Sequence, residues 1–332
     1  MKLHRLPVTS LCLLLFAVGQ LRAQQPAAAP VPPATTPAPA PIQFDKDIIY
    51  SHAGGAELKM DAARPPASFG AGPFPVVLYF HGGGWQAGKR QDGYAAIRFL
   101  ASQGFVAITV SYRFAPQFKW PYQIYDAKTA VRYVRSHAKE LNIDPNCIAA
   151  AGDSAGAYLA LMLGLTTSAD GFEGDGEWTD TPSKVQAVIS YYTASDFTKM
   201  APREPTRPLT EKEQEMKAKA EAMTFAYYKK TGAQVMADWG GTTDPKDPVW
   251  AKISPLAYVK STAVPVLIIQ GDADPVVKVE QAYQLDRALT DVKAPHELMI
   301  VPGGGHGFTR AQYAVTWKKA LEFLAQHMAK TP

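Results

Sequence analysis

The sequence has 332 residues, of which 47% are hydrophobic and 19% charged, which is enough for one large domain with a complete core. The formal net charge is +4, but Lys2, Arg5 and Arg22 lie in the first 23 residues, where there is no acidic residue. The remaining 31 basic and 30 acidic residues nearly cancel, which excludes a nucleic-acid-binding protein, because such proteins concentrate an excess of basic residues.

The first 43 residues have two distinct compositions. Residues 1–23 place basic residues before a short apolar run and end in a small-residue cleavage site, which is the pattern of a secretory signal peptide. The apolar run is too short to span a membrane, so we expect a secreted or periplasmic protein with no stable membrane insertion after cleavage. Residues 24–43 are rich in Pro and Ala and carry no charge, which predicts a disordered linker before a folded domain at 44–332.

The folded part alternates apolar runs with helical patterns. We predict an early antiparallel pair and six further strands: 47–50, 57–61, 75–80, 105–110, the run from Ile148, 185–192, 264–270 and 298–301. Helical patterns cover 94–103, 126–137, 157–164, 211–222, 279–289 and 311–328. Uninterrupted apolar strands that alternate with helices are typical of an α/β fold with a mostly parallel central sheet and helices on both faces. Loops beyond the carboxyl ends of such strands bind the ligand.

The first of these loops is His81-Gly82-Gly83-Gly84-Trp85, directly after the strand 75–80. Consecutive glycines let a backbone approach a substrate closely, and the amides of Gly83 and Gly84 can donate to an oxyanion. We expect His81 to brace the loop rather than to transfer protons. Trp85 either walls an acyl pocket or caps the core, and the sequence leaves these two roles open.

Gly152-Asp153-Ser154-Ala155-Gly156 joins an apolar strand to a buried helix. This Gly-x-Ser-x-Gly arrangement predicts a nucleophile elbow, in which a strained turn lifts the hydroxyl of Ser154 clear of the sheet. Gly152 and Gly156 leave room for the close approach of strand and helix. The helix that starts after Ser154 points amides at developing negative charge, so the amide of Ala155 completes the predicted oxyanion hole with Gly83 and Gly84.

The segment 199–249 interrupts the alternation of strands and helices. It contains the charged helical pattern 211–222, an aromatic patch of Phe225, Tyr227 and Tyr228, and the tripeptide Trp239-Gly240-Gly241. We interpret it as a lid-like insertion over the carboxyl end of the sheet.

A serine nucleophile needs a base, and the base needs an orienting acid. His306 lies in a glycine-rich loop after the last predicted strand, and the chain order Ser, Asp, His is that of α/β-hydrolases. Asp272 and Asp274 both follow the strand 264–270. We choose Asp274, because Pro275 behind it fixes the turn, and Asp272 could instead hold the loop through backbone bonds. Asp196 is a weaker candidate, for which a loop-bracing turn is the better interpretation.

Taken together, these motifs resemble those of α/β-hydrolase esterases. His-Gly-Gly-Gly and Gly-Asp-Ser-Ala-Gly are signatures of hormone-sensitive-lipase-like enzymes, although Ala157 stands where a second glycine is usual. Other stretches resemble the bacterial feruloyl-esterase-like and acetylxylan-esterase-like branch: 111–113, 125–127, 239–241, 253–259 and 271–277. The resemblance runs from about Phe44 to the last helix, and it also places the acid at Asp274. The segment 199–238 matches no pattern of the family.

The resemblance implies a serine carboxylic-ester hydrolase with the triad Ser154, Asp274 and His306. It implies a small-molecule or polysaccharide-linked ester as substrate, either a short acyl ester or an acetyl or hydroxycinnamoyl ester of plant polysaccharide. We expect no cofactor and no metal, since the sequence has no metal-ligand cluster. Two alternatives share the fold: a formamidase-like or peptidase-like amide hydrolase, and a catalytically silent hydrolase fold used for binding. The presence of all three triad residues speaks against the silent fold.

Overall fold

A computed structural model describes residues 41–200 and 207–328. The predicted signal peptide 1–23 and all but the last three residues of the predicted linker 24–43 lie outside these ranges. The strands are β1 Gln43–Ser51, β2 Leu58–Arg64, β3 Phe74–Phe80, β4 Val106–Val110, β5 Ile143–Asp153, β6 Ala187–Tyr191, β7 Val266–Gly271 and β8 His296–Val301. The helices are α1 Tyr94–Ala101, α2 Tyr122–Ser136, α3 Ala138–Leu141, α4 Ala155–Leu165, α5 Glu211–Tyr228, α6 Gly232–Gly240, α7 Val249–Ile253, α8 Glu280–Asp291 and α9 Arg310–His327.

The strands of this part of the chain form one sheet in the order β1-β2-β4-β3-β5-β6-β7-β8. β2 pairs antiparallel with both β1 and β4, and every other pair is parallel. The predicted early antiparallel pair and mostly parallel sheet are therefore confirmed. The parallel arrangement brings the carboxyl ends of β3, β5, β7 and β8 to one edge, which is where the sequence placed its polar loops.

Two apolar cores lie on the two faces of this sheet. Successive residues of a strand point to opposite faces, so Leu78 belongs to one core and its neighbour Val77 to the other. The first core includes residues of α2, α4 and α8, and the second includes residues of α1 and α9. All eleven residues of α4 are buried, as expected for the helix that follows a central strand. The helix that follows the elbow is therefore packed in the core along its whole length.

Two helices extend four or more residues beyond a predicted bound. α2 begins at Tyr122 rather than at residue 126, because its first turn contains Gln123, a buried polar residue that hides the apolar periodicity. The Gln123 amide donates to the carbonyl oxygens of Arg113 and Phe118. α5 continues through the aromatic patch to Tyr228, and Lys229 ends it in a left-handed conformation with φ of 56°. None of the described helices has the length and hydropathy that a membrane crossing requires.

The polar face of α2 is buried rather than solvated. Lys128 and Arg132 are each 1% exposed, and the acidic, glycine-containing loop 171–182 covers them. Glu173 of that loop accepts from Lys128 at 3.0 Å and from Arg132 at 2.9 Å. Burial alone would raise the pKa of Glu173, but the neighbouring ammonium and guanidinium groups hold it below its usual value. An acidic loop thus closes the outer side of the first core.

Candidate active site

The turn between β5 and α4 has the geometry of a nucleophile elbow. Ser154 has φ of 50° and ψ of −118°, a strained backbone for a residue with a side chain. A Cβ on Gly152 would lie 2.5 Å from the carbonyl carbon of Gly156, and one on Gly156 would lie 2.0 Å from the oxygen of Phe80. Both glycines are therefore required by the approach of strand to helix, as the sequence predicted.

Three polar side chains from three loops meet at Ser154. Its hydroxyl is 2.9 Å from Nε2 of His306, and Nδ1 of His306 is 2.9 Å from Oδ2 of Asp274. The Asp274 side chain is fully buried and that of His306 is 17% exposed. The structure thus brings together the three residues chosen from the sequence, in the order hydroxyl, imidazole, carboxylate that nucleophilic catalysis requires.

Asp274 is held by further donors that the sequence did not identify. Its Oδ1 accepts from the amides of Val276 and Val277 at 2.8 and 2.9 Å, and its Oδ2 accepts from Nε2 of Gln270 at 3.2 Å. These bonds leave the carboxylate little freedom to turn away from His306. Such a carboxylate can fix the tautomer of the imidazole and stabilise the imidazolium.

The two competing acids have other partners. Oδ1 of Asp272 accepts from the amide of Gly303 at 2.7 Å, so Asp272 anchors the start of the loop that carries His306. Oδ1 of Asp196 accepts from the amide of Thr198 at 3.0 Å and caps the short helix at 197–199. Each carboxylate therefore stabilises a turn, which is the non-catalytic role that the sequence suggested for it.

The three residues whose amides were predicted to form the oxyanion hole line the same cavity as Ser154. Within the described ranges, the amides of Gly83 and Gly84 have no hydrogen-bond acceptor, and that of Ala155 is the first in α4, where a helix offers none. Gly83 has φ of 119°, and a Cβ there would lie 2.1 Å from the carbonyl oxygen of Ala87. Amides without another acceptor beside a cavity can stabilise negative charge that develops there.

Asp153 links this loop to the elbow, and sequence reasoning assigned it no role. Its Oδ1 accepts from the Tyr79 hydroxyl at 2.8 Å and from the Gly82 amide at 3.2 Å. Burial raises the pKa of Asp153, while the bond from Tyr79 and the charge of His306 oppose that rise. The signal in the sequence was an ionisable residue at the end of an otherwise apolar strand, since such a residue needs a partner.

His81 and Trp85 hold the loop from its two ends. His81 is buried, its Nδ1 donates to the Gly82 carbonyl at 2.7 Å, and its ring stacks on Tyr112 at 4.6 Å. Burial lowers the pKa of His81, which suits the bracing role. Trp85 stacks on Trp239 at 3.5 Å, donates to the Ala155 carbonyl at 3.1 Å and also lines the cavity. Trp85 therefore packs in the first core and also lines the cavity, and its contact with an acyl group stays a prediction.

The cavity has a volume of about 1190 Å³, and helices α5 and α6 of the segment 199–249 form part of its wall. Gln86, directly after Trp85, ties this wall to the oxyanion loop. Its Nε2 donates to the Val235 carbonyl at 2.6 Å, and its Oε1 accepts from Lys230 at 3.0 Å. Lys230 also pairs with Asp238 at 2.7 Å. The sequence had no pattern that would identify Gln86, because its partners lie about 150 residues away.

Residues 41–200 and 207–328 contain no group of three or more His, Cys, Asp or Glu that could hold a metal ion. What the site does offer is a nucleophile, a base with its orienting acid, and free amides beside one cavity. This arrangement can carry out acyl transfer from an ester or amide to water.

Comparison with known proteins places this chain in a family. The BD-FAE family model matches residues 60–289. Esterase LipC of Mycobacterium tuberculosis is 32% identical over 71% of this chain and 53% of its own length. The chain covers between 53% and 61% of the length of this and two further M. tuberculosis relatives, the probable carboxylic ester hydrolase LipM and esterase LipQ.

Solved structures resemble the chain over most of its length. A truncated carbohydrate esterase from gut microbiota has a TM-score of 0.67 and 25% identity, over 87% of this chain and 97% of its own. The propionate-bound esterase Est2 of Thermogutta terrifontis has a TM-score of 0.64 and 26% identity, over 89% of this chain and 97% of its own. The α/β-hydrolase fold predicted from the sequence is thereby confirmed.

Proposed function

Because the chain belongs to the BD-FAE family of α/β-hydrolase esterases, we propose that it is a serine carboxylic-ester hydrolase whose nucleophile is Ser154. Family membership agrees with the resemblance carried by the sequence motifs. The single observation that carries the proposed mechanism is the unbroken path from Asp274 through His306 to the Ser154 hydroxyl, with 2.9 Å at each step.

In the proposed reaction, each residue of the site has one task. Nε2 of His306 takes the proton of Ser154 as Oγ attacks the ester carbonyl, and the carbonyl electron pair moves onto oxygen. The amides of Gly83, Gly84 and Ala155 donate to that oxyanion. His306 then gives the proton to the leaving alcohol as the bond to the acyl carbon breaks, which leaves an acyl-enzyme.

Water completes the cycle by the same route. His306 removes a proton from a water molecule that attacks the acyl carbon, and then returns the proton to Ser154 as the acid leaves. Throughout the cycle, Asp274 accepts a hydrogen bond from the Nδ1–H group of the imidazole, so that Nε2 is free to accept a proton and the imidazolium is stabilised. Protons and electron pairs balance, and no cofactor takes part.

For the substrate, we propose short acyl esters or acetyl and hydroxycinnamoyl esters of plant polysaccharide. A cavity of about 1190 Å³ is larger than an acetyl group needs, and it leaves room for an aromatic acyl group or a sugar. One structural relative is described as a carbohydrate esterase and another is bound to propionate, which supports a short acyl group and a sugar alcohol. The pattern of residues 1–23 supports export, and we propose a secreted or periplasmic enzyme.

A hydrolysis panel on the full chain tests this function. It comprises p-nitrophenyl acetate, butyrate and octanoate, methyl ferulate and acetylated xylan, with Ser154→Ala as control. Turnover of ferulate or acetylated xylan that Ser154→Ala abolishes is the expected result. Faster cleavage of 4-nitroacetanilide than of p-nitrophenyl acetate would instead identify an amide hydrolase. Folded protein that turns over no substrate and does not react with a fluorophosphonate probe would identify a silent fold.

A further inference from the structure

What we call the mouth of the cavity is formed by four exposed residues that line it: Asp92, Lys217, Glu221 and Tyr227. They include an aromatic side chain that the proposed reaction does not use. Tyr227 lies in the last turn of α5, lines the cavity that contains Ser154 and is 60% exposed. Its ring contacts that of Tyr228 edge-on, with centroids 4.7 Å apart and an interplanar angle of 74°. The exposed ring offers apolar area that a ligand can remove from water.

A carboxylate lies on the same cavity. Asp92 is an exposed residue of the turn 90–93, which follows the oxyanion loop. Its Oδ2 accepts from the amide of Lys89 at 2.9 Å, whereas Oδ1 has no donor in the described part of the chain. Asp92 and Tyr227 line the same cavity, and burial, and then the charge of Asp92, raise the pKa of Tyr227. The mouth thus pairs an aromatic ring with a free hydrogen-bond acceptor.

The charges at this mouth indicate which class of ligand fits it. Lys217 and Glu221 of α5 line the cavity together with Asp92, and a fatty chain laid across them would remove charged groups from water without compensation. A pyranose ring has the opposite character, since it presents C–H groups on its faces and hydroxyl donors around its edge. An aromatic ring can contact such a face while a carboxylate accepts from the edge.

We propose that Tyr227 and Asp92 form a subsite for a pyranose ring at the mouth of the cavity. The ring of Tyr227 stacks on a C–H face of the sugar, and Oδ1 of Asp92 accepts from its hydroxyls. This inference rests on the proposed esterase function, because the sugar is the alcohol part of the ester that Ser154 attacks. It assigns the alcohol side of the substrate to residues on α5 and on the turn 90–93.

Two acetate esters with different alcohols test the subsite. In the full chain, Tyr227→Ala is expected to lower kcat/KM for acetylated xylotriose about tenfold more than for p-nitrophenyl acetate, mainly through KM, since loss of an aromatic contact worth about 1.4 kcal/mol corresponds to a factor of ten. Tyr227→Phe keeps the ring and should keep the ratio of the two substrates near that of the unaltered protein. Asp92→Ala should lower the same ratio severalfold.

Phe225→Ala is the matched control. Phe225 lies on the same helix two residues before Tyr227 and is 56% exposed, but it does not line the cavity. A ratio that falls equally in Phe225→Ala and Tyr227→Ala would overturn the proposal, and so would a ratio that neither variant changes. Thermal unfolding of each variant shows whether a loss of activity reflects a loss of fold.

Binding of unacetylated xylotriose separates the failure of the subsite from the failure of the esterase function. Calorimetry on Ser154→Ala should show binding that is about tenfold weaker when Tyr227→Ala is added, and unaltered when Phe225→Ala is added. Binding that depends on Tyr227 in a protein without ester turnover would refute the proposed function and keep the subsite. Turnover of p-nitrophenyl acetate with no Tyr227-dependent binding of xylotriose would refute the subsite alone.

Discussion

Removal of the Asp153 carboxylate should weaken both the fold and the proposed reaction. In Asp153→Ala, the Tyr79 hydroxyl and the Gly82 amide lose the acceptor that they share. A hydrogen bond to a charged group contributes about 1.5–3 kcal/mol, so two such bonds set an upper limit of about 3–6 kcal/mol. Burial destabilises the charged form of Asp153, as its raised pKa shows. Removal of the carboxylate therefore offsets part of this loss. We expect the free energy of unfolding to fall by about 2–3 kcal/mol, measured by urea denaturation.

The effect on activity follows from the position of Gly82. It directly precedes Gly83 and Gly84, which line the cavity beside Ser154, so we expect release of its amide to displace the proposed oxyanion donors. Loss of one such donor lowers kcat by about 10²–10³ in serine hydrolases. Because Asp153→Ala shifts the donors without removing them, we expect kcat for p-nitrophenyl acetate to fall about 10–100-fold, with a smaller change in KM.

Asp153→Asn is the control for shape. The amide oxygen of asparagine can still accept both hydrogen bonds, so kcat should stay well above that of Asp153→Ala.

The charge of Asp153 also makes the stability of the protein depend on pH. Since the folded-state pKa of Asp153 lies above its usual value of 3.8, the native state binds the proton more tightly than the unfolded state. The unaltered protein should therefore lose stability relative to Asp153→Asn as pH rises from about 3.8, until the folded-state pKa is passed.

A double-mutant cycle with Tyr79→Phe checks the cause. If the hydrogen bond between the two side chains carries the effect, the summed losses of stability of the two single variants should exceed the loss in the double variant by about 1 kcal/mol. Additive losses would refute this account of the link. A folded Asp153→Ala protein with kcat near that of the unaltered chain would refute the positioning role.

Three further predictions concern the elbow, the triad and the acidic loop. Asp274→Asn should lower kcat about 10³–10⁴-fold without unfolding the protein, because the imidazole loses the tautomer it needs; an effect below tenfold would contradict the assignment. Gly156→Ala, whose Cβ would lie 2.0 Å from a backbone oxygen, should lose more than ~3 kcal/mol in urea denaturation, whereas Gly171→Ala, with no atom within 4 Å, should lose only about 1 kcal/mol through its positive φ. Glu173→Gln should lower stability by about 1–3 kcal/mol at pH 7 by leaving two buried cations less compensated. Since the folded-state pKa of Glu173 lies below its usual value of 4.5, that difference should shrink as pH falls through the folded-state value; a constant difference would contradict the ion-pair account.

The local motifs of this protein were readable because each is set by short-range constraints. Gly152 and Gly156 indicate the elbow, because a Cβ atom at either position would lie within 2.5 Å of backbone atoms. The apolar strands indicate a parallel sheet, because a strand that is buried on both faces of the sheet shows no alternation of polar and apolar residues. The length of α5 was underestimated, because an aromatic run has no helical periodicity of its own. Its helical hydrogen bonds nevertheless continue to Tyr228.

By itself, the sequence determined the α/β architecture, the serine elbow, the glycine-rich oxyanion loop and a short set of candidate acids and bases. Only the tertiary structure decided which carboxylate faces His306, since Asp272 and Asp274 differ by two residues in the same loop but bind different partners. It also decided the link from Asp153 to the oxyanion loop and the burial of Lys128 on α2. The physical reason is the same in each case: a buried polar group is stabilised by the partner it meets in space, and those partners lie 32 to 71 residues away along the chain.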